Sequence, residues 1–408
     1  MKRCIILMMD SFGIGAASDA AAFGDSGADA DTLGHIVEWY GKHCPSIPFH
    51  LPHLTSIGLV NAHTLSTGHP LPYSIGTGPI KGAYTYAKEI SRGKDTLSGH
   101  WELTGVPVDF DWGYFPDVPH CFPKDIVDGL ITGGNLPGVL GEKHASGTEI
   151  IKELGCEHMR TGKPIIYTSA DSVLQIAAHE ETFGLERLYT LCEKAFDLVR
   201  PYHIARVIAR PFVGTAPENF TRTGNRHDYA VAAPEKTLVD RAYEEAGGTY
   251  AIGKIADIFA HRGITKQYKA TGLSALFDAT LEALEDAGDR SLIFTNFVDF
   301  DSSYGHRRDA EGYGKGLMLI DSRLPELEAR LTPGDLVLVT ADHGCDPTFK
   351  GSDHTREHVP MLFFGKGVKP GPLAPMKTYS DGGQILAHHL GLTLKRGTFQ
   401  EVMDHEAR

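Results

Sequence analysis

Six residues in the last quarter of the chain, Leu336–Ala341 (LVLVTA), constrain the fold more than any other stretch. They are apolar apart from one threonine and rich in β-branched types. With no polar alternation they read as a strand of a parallel sheet buried on both faces. The run ends on Asp342-His343-Gly344, a carboxylate and an imidazole at the carboxyl end of the strand, which is the edge where open α/β sheets bind ligands. Eleven residues later comes Asp353-His354, inside a Gly/Ser/Asp-rich loop, followed by Thr355-Arg356-Glu357-His358. Hard oxygen donors mixed with imidazole suit Mn2+, Zn2+ or Mg2+ better than a thiolate-seeking metal. The plain alternative is a polar loop whose histidines cap backbone groups.

The same pattern recurs twice. Cys4–Met9 (CIILMM) is a buried strand that stops at Asp10, and Ser291–Val298 is a strand that runs into Asp299-Phe300-Asp301, with His306 five residues beyond Asp301. Gly13-Ile14-Gly15 after the first strand lacks the third glycine of a dinucleotide fingerprint, which argues against a Rossmann cofactor. Collected, the strand-tip ligands are Asp10, Asp301, His306, Asp342, His343 and His354. Six Asp/His ligands suit two divalent cations at about three protein ligands each, with open positions left for substrate. Such a pair of cations suits phosphoryl transfer, which also needs a nucleophile. Ser91–Glu102 reads as the start of a helix with Thr96 or Ser98 at its N-terminus, where free N–H groups attract an anion. Thr96, with Lys94 nearby, brings a hydroxyl, a cation and backbone donors together, and Ser98 is the fallback. An ordinary helix cap is the bland alternative.

The chain of 408 residues is long for one domain. From about Leu103 to Thr223 it gains aromatics and prolines and carries its own helix (Glu186–Leu198) and strands (Pro164–Ser169, His203–Arg210). The expected division is therefore a core from 1–102 and 224–408, with an inserted domain at 103–223. Arg206, Arg210, Arg222 and Arg226 in the insertion form a plausible phosphate clamp, because guanidinium matches phosphate bidentately; solvated surface charge is the alternative for each. Gly76–Glu89 reads as irregular. A formal charge of −13 argues against nucleic acid or an anionic membrane as partner, though metal ions can reverse the sign locally for a phosphorylated substrate. The apolar run after Met1 is too short for a signal peptide and no stretch approaches a membrane span. Six scattered cysteines give neither a disulfide framework nor a thiolate metal site, and Cys345 reads as small buried filler. These bounds describe a soluble, reduced, cytoplasmic α/β protein.

Taken together, Met9–Gly15, Gly93-Lys94-Asp95-Thr96 with Gly99-His100-Trp101-Glu102, Asp299–Asp301 with Gly305–Arg308, and Ala341–Asp346 resemble the phosphopentomutases of the alkaline phosphatase superfamily. Tyr167–Ser172 and Ile208–Phe212 extend the resemblance into the insertion, so it covers essentially the whole chain in order. Ser18, where the family pattern has proline after Ala-Ala, is a departure in a loop. The resemblance implies a doubly wound, mostly parallel sheet with an inserted α/β cap. It implies that Thr96 carries a phosphoryl group. Asp10, Asp342 and His343 would bind the metal nearer that threonine, and Asp301, His306 and His354 the second, typically both Mn2+ though other divalent cations can replace it. The implied reaction interconverts ribose 1-phosphate, or its 2-deoxy form, and the 5-phosphate through a sugar 1,5-bisphosphate, which also serves as activator. In the cap, Arg210, Arg206 and Asp171 are the implied substrate contacts, with Lys254 in the core a further one for the far phosphate. A monomer is compatible with all of this, and the sequence fixes no oligomeric state. The nearest rival is a phosphatase or sulfatase on the same core. A cofactor-independent phosphoglycerate mutase would use a serine in an Asn-Ser-Glu setting, where this chain has Lys94-Asp95-Thr96. A non-catalytic metal-binding protein would carry no phosphate on Thr96.

Overall fold

A computed structural model of the chain describes residues 1–25, 29–169 and 171–404. Ala170, within one of the motifs quoted above, lies outside the described residues. In chain order the strands are β1 (Arg3–Met8), β2 (Ala83–Ala87), β3 (Leu140–His144), β4 (Ile165–Thr168), β5 (Val173–His179), β6 (Arg206–Val213), β7 (Thr221–Arg222), β8 (His227–Ala230), β9 (Thr249–Ile252), β10 (Lys266–Tyr268), β11 (Leu292–Asn296), β12 (Asp335–Thr340), β13 (Val359–Phe364) and β14 (Gly371–Pro372).

The chain divides into two compact units, Met1–Asp109 with Ala233–Arg408, and Phe110–Ala232. The insertion was expected at 103–223, so each boundary lies several residues later. The first shift has a local cause. Leu103, Val106 and Val108 are buried, Val106 N donates to Trp101 O, and Arg92 N donates to Val108 O, so this segment packs with the core before the chain leaves it. At the other end β8 pairs with β6, which keeps residues 227–230 in the insertion.

In the first unit eight strands form one sheet in the order β10-β9-β11-β1-β12-β13-β2-β14. The neighbours from β10 to β12 pair in parallel, and β13 alone runs antiparallel between β12 and β2. Every residue of β1, β11 and β12 is buried, so both faces are covered, as the unbroken apolar runs require. The expected irregular stretch Gly76–Glu89 instead contains β2, AYTYA, whose period-two burial is interleaved with tyrosines. Its glycine-rich flank hid a five-residue strand. Long helices at Thr32–His43, Leu273–Asp286, Ala310–Arg330 and Tyr379–His389 belong to this unit.

The second unit is built on a six-stranded mixed sheet, β3-β4-β5-β6-β7 with β8 also on β6. Leu174, Ile176, Val207 and Ala209 pack with the helices Lys124–Gly133 and Leu185–Val199 through Ile126, Leu130, Leu188 and Leu191. Ile165, Ala177 and Phe212 pack with the helix Gly147–Thr161 through Ile150 and Ile151. Each unit therefore has its own core. Among the described residues no helix is long and apolar enough to cross a membrane, and the six cysteines are unpaired.

Candidate metal centre

Parallel pairing in register sets three acidic tips side by side. Met8 aligns with Asn296 on one neighbour and with Thr340 on the other, so β1, β11 and β12 end at one level of the sheet. Asp10 and Asp342 follow β1 and β12 by two residues. Asp301 follows β11 within a short π-helical turn, Phe300–Gly305. All three carboxylates are nearly or fully buried.

Asp10, Asp342 and His343 form one cluster. His343 Nε2 lies 3.6 Å from Asp10 Oδ1 and 3.4 Å from Asp342 Oδ2. Ser11, held at the left-handed φ of 68°, donates its N–H to Asp342 Oδ1 at 3.0 Å. A non-glycine residue pays conformational strain there, and its N–H holds one oxygen of this buried carboxylate. Asp301, His306 and His354 form the second grouping. His354 Nε2 is 3.1 Å and His306 Nε2 3.4 Å from the Asp301 carboxylate, and the two imidazole nitrogens are 3.2 Å apart. The His343 and His354 rings stack at 3.9 Å, so the two groupings are contiguous. Cys345, expected to be inert filler, has its sulfur close enough to Asp301 and His306 to join their donor set. The guanidinium of Arg308 donates to that sulfur at 3.3 Å.

The donor set fits a divalent metal. Each of the three histidines turns Nδ1 to a backbone carbonyl: Gly344 O at 3.1 Å for His343, Lys94 O at 2.8 Å for His354, Ser352 O at 2.6 Å for His306. A carbonyl only accepts, so Nδ1 holds the proton and each Nε2 presents a lone pair. Those lone pairs face carboxylates and one another. Asp10 Oδ1, Asp301 Oδ1 and Asp342 Oδ2 are buried without a hydrogen-bond partner. Crowded acceptors without donors are costly in a protein interior unless a cation joins them. Their titration shows the same crowding. Burial, reinforced by the charges of Asp342 and Asp301, pushes the Asp10 carboxyl well above its usual range. For Asp342 burial works in the same direction, but the imidazoles of His343 and His100 outweigh it and bring the group down to about 2. Burial likewise opposes ionisation of Asp301, and His306 and His354 outweigh it. His343 is lowered by burial, which keeps it neutral as a ligand must be.

Thr96 opens the helix Thr96–Leu103, and its Oγ1 is 3.5 Å from His343 Nε2. The cap is Asp95, whose carboxylate accepts from Leu97 N and Ser98 N; Ser98 Oγ also donates to it, which ties up the fallback hydroxyl. Lys94, expected beside the threonine as a cation, is instead paired with Asp25 at 2.9 Å and Asp353 at 3.1 Å. Burial raises both Asp10 and Asp299, and the Lys254 charge opposes that rise in each. Sequence reasoning passed over two residues of this site, His100 and Asn296. Asn296 Nδ2 donates to Asp10 Oδ2 at 2.9 Å. An asparagine ending a buried run was the available signal.

Within the second unit, Arg206 pairs with Asp171 at 3.1 Å, and Arg210 Nε donates to Gln175 at 2.9 Å. Burial, then the nearby Arg226 charge, lowers the Arg210 guanidinium to about 10. Asp228 is held at about 2 because Arg226, Arg206 and Arg210 outweigh its burial. Arginines gathered round one buried carboxylate leave a surplus of positive charge.

The sequence profile of the metalloenzyme superfamily matches residues 2–399. A protein of Erwinia tasmaniensis named phosphopentomutase is 56% identical over 400 residues, covering 96% of this chain and 98% of its own. Another of that name from Tolumonas auensis is 58% identical over 397 residues, covering 96% and 97%. Among solved structures, a protein from Pyrococcus horikoshii aligns over 97% of this chain and 99% of its own, at 13% identity and a TM-score of 0.45.

Proposed function

Because this chain belongs to the phosphopentomutases of the metalloenzyme superfamily, we propose that it interconverts the 1- and 5-phosphates of ribose or 2-deoxyribose through a phosphothreonine at Thr96. It is an isomerase that moves a phosphoryl group within a pentose phosphate. The observation that carries the finer reading is the Thr96 hydroxyl at a helix N-terminus, 3.5 Å from His343 in a buried cluster of metal donors.

Asp10, Asp342 and His343 would hold one divalent cation and Asp301, His306 and His354 a second, and the hard oxygen and imidazole set suits Mn2+. The bound cations would supply charge neutralisation at the transferring phosphoryl group and at the oxygens on either side of it. Thr96 begins as the phosphate ester, loaded from a sugar bisphosphate that acts as activator. A hydroxyl of the incoming sugar phosphate bonds to phosphorus, Thr96 Oγ1 leaves, and the proton given up by the sugar hydroxyl ends on Thr96 Oγ1. The 1,5-bisphosphate then presents its other phosphorus, Thr96 Oγ1 attacks it, and the isomeric monophosphate departs. We assign recognition of the phosphate not in transfer to Arg210 and Arg206, with Asp171 holding Arg206 in place, and a supporting charge to Lys254. The unpaired cysteines support a cytoplasmic site of action.

The test is intact mass before and after incubation with ribose 1,5-bisphosphate. Wild type should gain one phosphate, and Thr96→Ala should gain none and lose mutase turnover by several orders of magnitude. Near wild-type turnover in Thr96→Ala would remove the threonine from the mechanism. A companion assay measures free phosphate against sugar phosphate isomerised. Arg210→Ala should lose most mutase flux while that ratio rises, because a weakly held sugar phosphate leaves the phosphothreonine exposed to water before the transfer to sugar occurs. An unchanged ratio in Arg210→Ala and Arg206→Ala would take these arginines out of the partition.

A further inference from the structure

His100 is fully buried one turn after Thr96 on the same helix, and its ring stacks on Phe294 of β11 at 5.6 Å and 20°. Its Nδ1 lies 2.8 Å from Thr96 O and 3.2 Å from Asp342 Oδ2. Both oxygens can only accept, so Nδ1 carries the proton, donates it to Thr96 O and rests against the carboxylate. Its Nε2, then a lone pair, lies 3.3 Å from Asn296 Nδ2. The same amide nitrogen donates to Asp10 Oδ2 at 2.9 Å, which fixes the amide orientation because a carboxylate oxygen cannot donate. The helix is pressed against the β12 tip here: a Cβ on Gly99 would fall 2.0 Å from Asp342 O. Donors and acceptors thus alternate without a break from Asp10 through Asn296 and His100 to Thr96, with the Asp342 carboxylate in contact beside the last link.

We propose that His100, oriented by Asn296, is a positioning residue that locks the backbone of Thr96 to the two carboxylates of the first metal cluster. The imidazole that donates to the carbonyl of Thr96 also lies against Asp342 Oδ2 at 3.2 Å, a polar contact that adds no second hydrogen bond, so the helix and the carboxylate are braced by one ring. One amide holds both Asp10 and the imidazole that makes this contact. The distance from Thr96 Oγ1 to the cluster is therefore set by side chains that neither ligate the metal nor touch the substrate. Partners of this kind, bonded to a ligand rather than to the metal, commonly carry about 10–100-fold of metal affinity. The kinetic part of the proposal rests on Thr96 as the phosphoryl carrier; the metal-binding part does not.

The test compares His100→Asn with His100→Gln. The amide nitrogen of asparagine superposes on Nδ1, and that of glutamine on Nε2. Titration of metal-free protein with Mn2+ by calorimetry should show His100→Gln weakened about 10–100-fold at one class of site and unchanged at the other. His100→Asn should remain within a few-fold of wild type. Phosphate loading of Thr96, followed by intact mass with ribose 1,5-bisphosphate, should slow in the glutamine variant and recover in the asparagine variant. Equal behaviour of the two, whether both intact or both impaired, would overturn the proposal, because the ring would then act only by its shape against Phe294. Should neither variant fold, Asn296→Leu decides: it must weaken Mn2+ at one class of site, and unchanged Mn2+ affinity would also overturn the proposal. If wild type accepts no phosphate, the reading of Thr96 fails while the Mn2+ titration still judges His100.

Discussion

Two buried networks of the same residue types share the segment from Asp342 to His358, and only one of them has the makings of a metal centre. In the first, Asp10, Asp301 and Asp342 each keep a buried oxygen without a hydrogen-bond partner, and three imidazole lone pairs converge on them. In the second, Glu357 and Asp346 are just as buried, but donors meet every oxygen. Glu357 accepts from Thr32 Oγ1 at 2.7 Å, Thr355 Oγ1 at 2.6 Å, Thr32 N at 2.9 Å and Gly15 N at 3.3 Å. Asp346 accepts from the N–H and hydroxyl of Thr348, each at 2.8 Å, from Asp31 N at 3.1 Å, and from the His35 ring. The difference is the balance of donors against acceptors, not the count of acids and histidines. An acceptor-rich cluster waits for a cation, and a balanced one staples loops together.

The sharpest way to break this comparison is to remove one carboxylate from each network. Asp342→Asn should lower mutase activity by about 10²–10³-fold or more, the scale of losing one charge-stabilising group. It should leave the stability of the metal-free protein almost unchanged, because no donor there depends on the missing charge alone. Glu357→Ala should do the opposite. Several donors lose their acceptor and a cavity opens, so unfolding free energy should drop by about 3–5 kcal/mol while bound metal per folded chain stays constant. Urea denaturation of metal-free proteins, with metal analysis of the folded fractions, measures both. A large stability loss in Asp342→Asn, or metal loss in Glu357→Ala, would show that donor balance is the wrong criterion.

A smaller effect tests the division inside the first network. Asp342→Asn should empty the site nearer Thr96 and leave the other partly filled, and His306→Ala should do the reverse. The second variant should be the milder, because His306 is the most exposed ligand, with a third of its side chain open to solvent. Two ions per chain retained in both variants would refute the assignment into two groups of three.

How much of this was legible in the sequence follows from what each feature depends on. The three acidic strand tips could be read because a buried parallel strand writes itself as an unbroken apolar run, and Asp10, Asp301 and Asp342 stand just past such runs. Their convergence needed only parallel register. The role of Asp346 and Glu357 could not be read, since their partners, Thr32, Asp31 and His35, lie more than 300 residues away in the chain. Lys94 was misjudged for the same reason: Asp25, far from it in sequence, takes its charge. Strand β2 was missed because its neighbours on both sides in the sheet, β13 and β14, come from the other end of the chain. His100 read as part of a motif, but its link to Asp10 passes through Asn296, and only the folded sheet brings these together.

The weakest effect expected is in the pH dependence of stability, and it separates the two networks without touching activity. The bond to Asp346 outweighs burial and raises His35 from its ordinary 6.5 to about 9. Burial, with the Asp346 charge next, raises Glu357 from 4.5 to about 8. Both shifts have one sign: the folded protein keeps protons that the unfolded chain has released. Stability should therefore fall as pH rises, from Glu357 between pH 4.5 and 8 and from His35 between 6.5 and 9. The histidine part is fully present below 6.5 and gone above 9. Because these groups share Asp346, they titrate as a set, and the observed slope belongs to the set. His35→Gln keeps a donor toward Asp346 but cannot hold the extra proton. The melting temperature of the metal-free variant should vary less than wild type between pH 7 and 9, by a modest margin, since about a third of the imidazole, 34%, is exposed and water screens it. A variant profile parallel to wild type would mean that His35 carries no extra proton, and the balanced network would then owe its stability to the threonine and backbone donors alone.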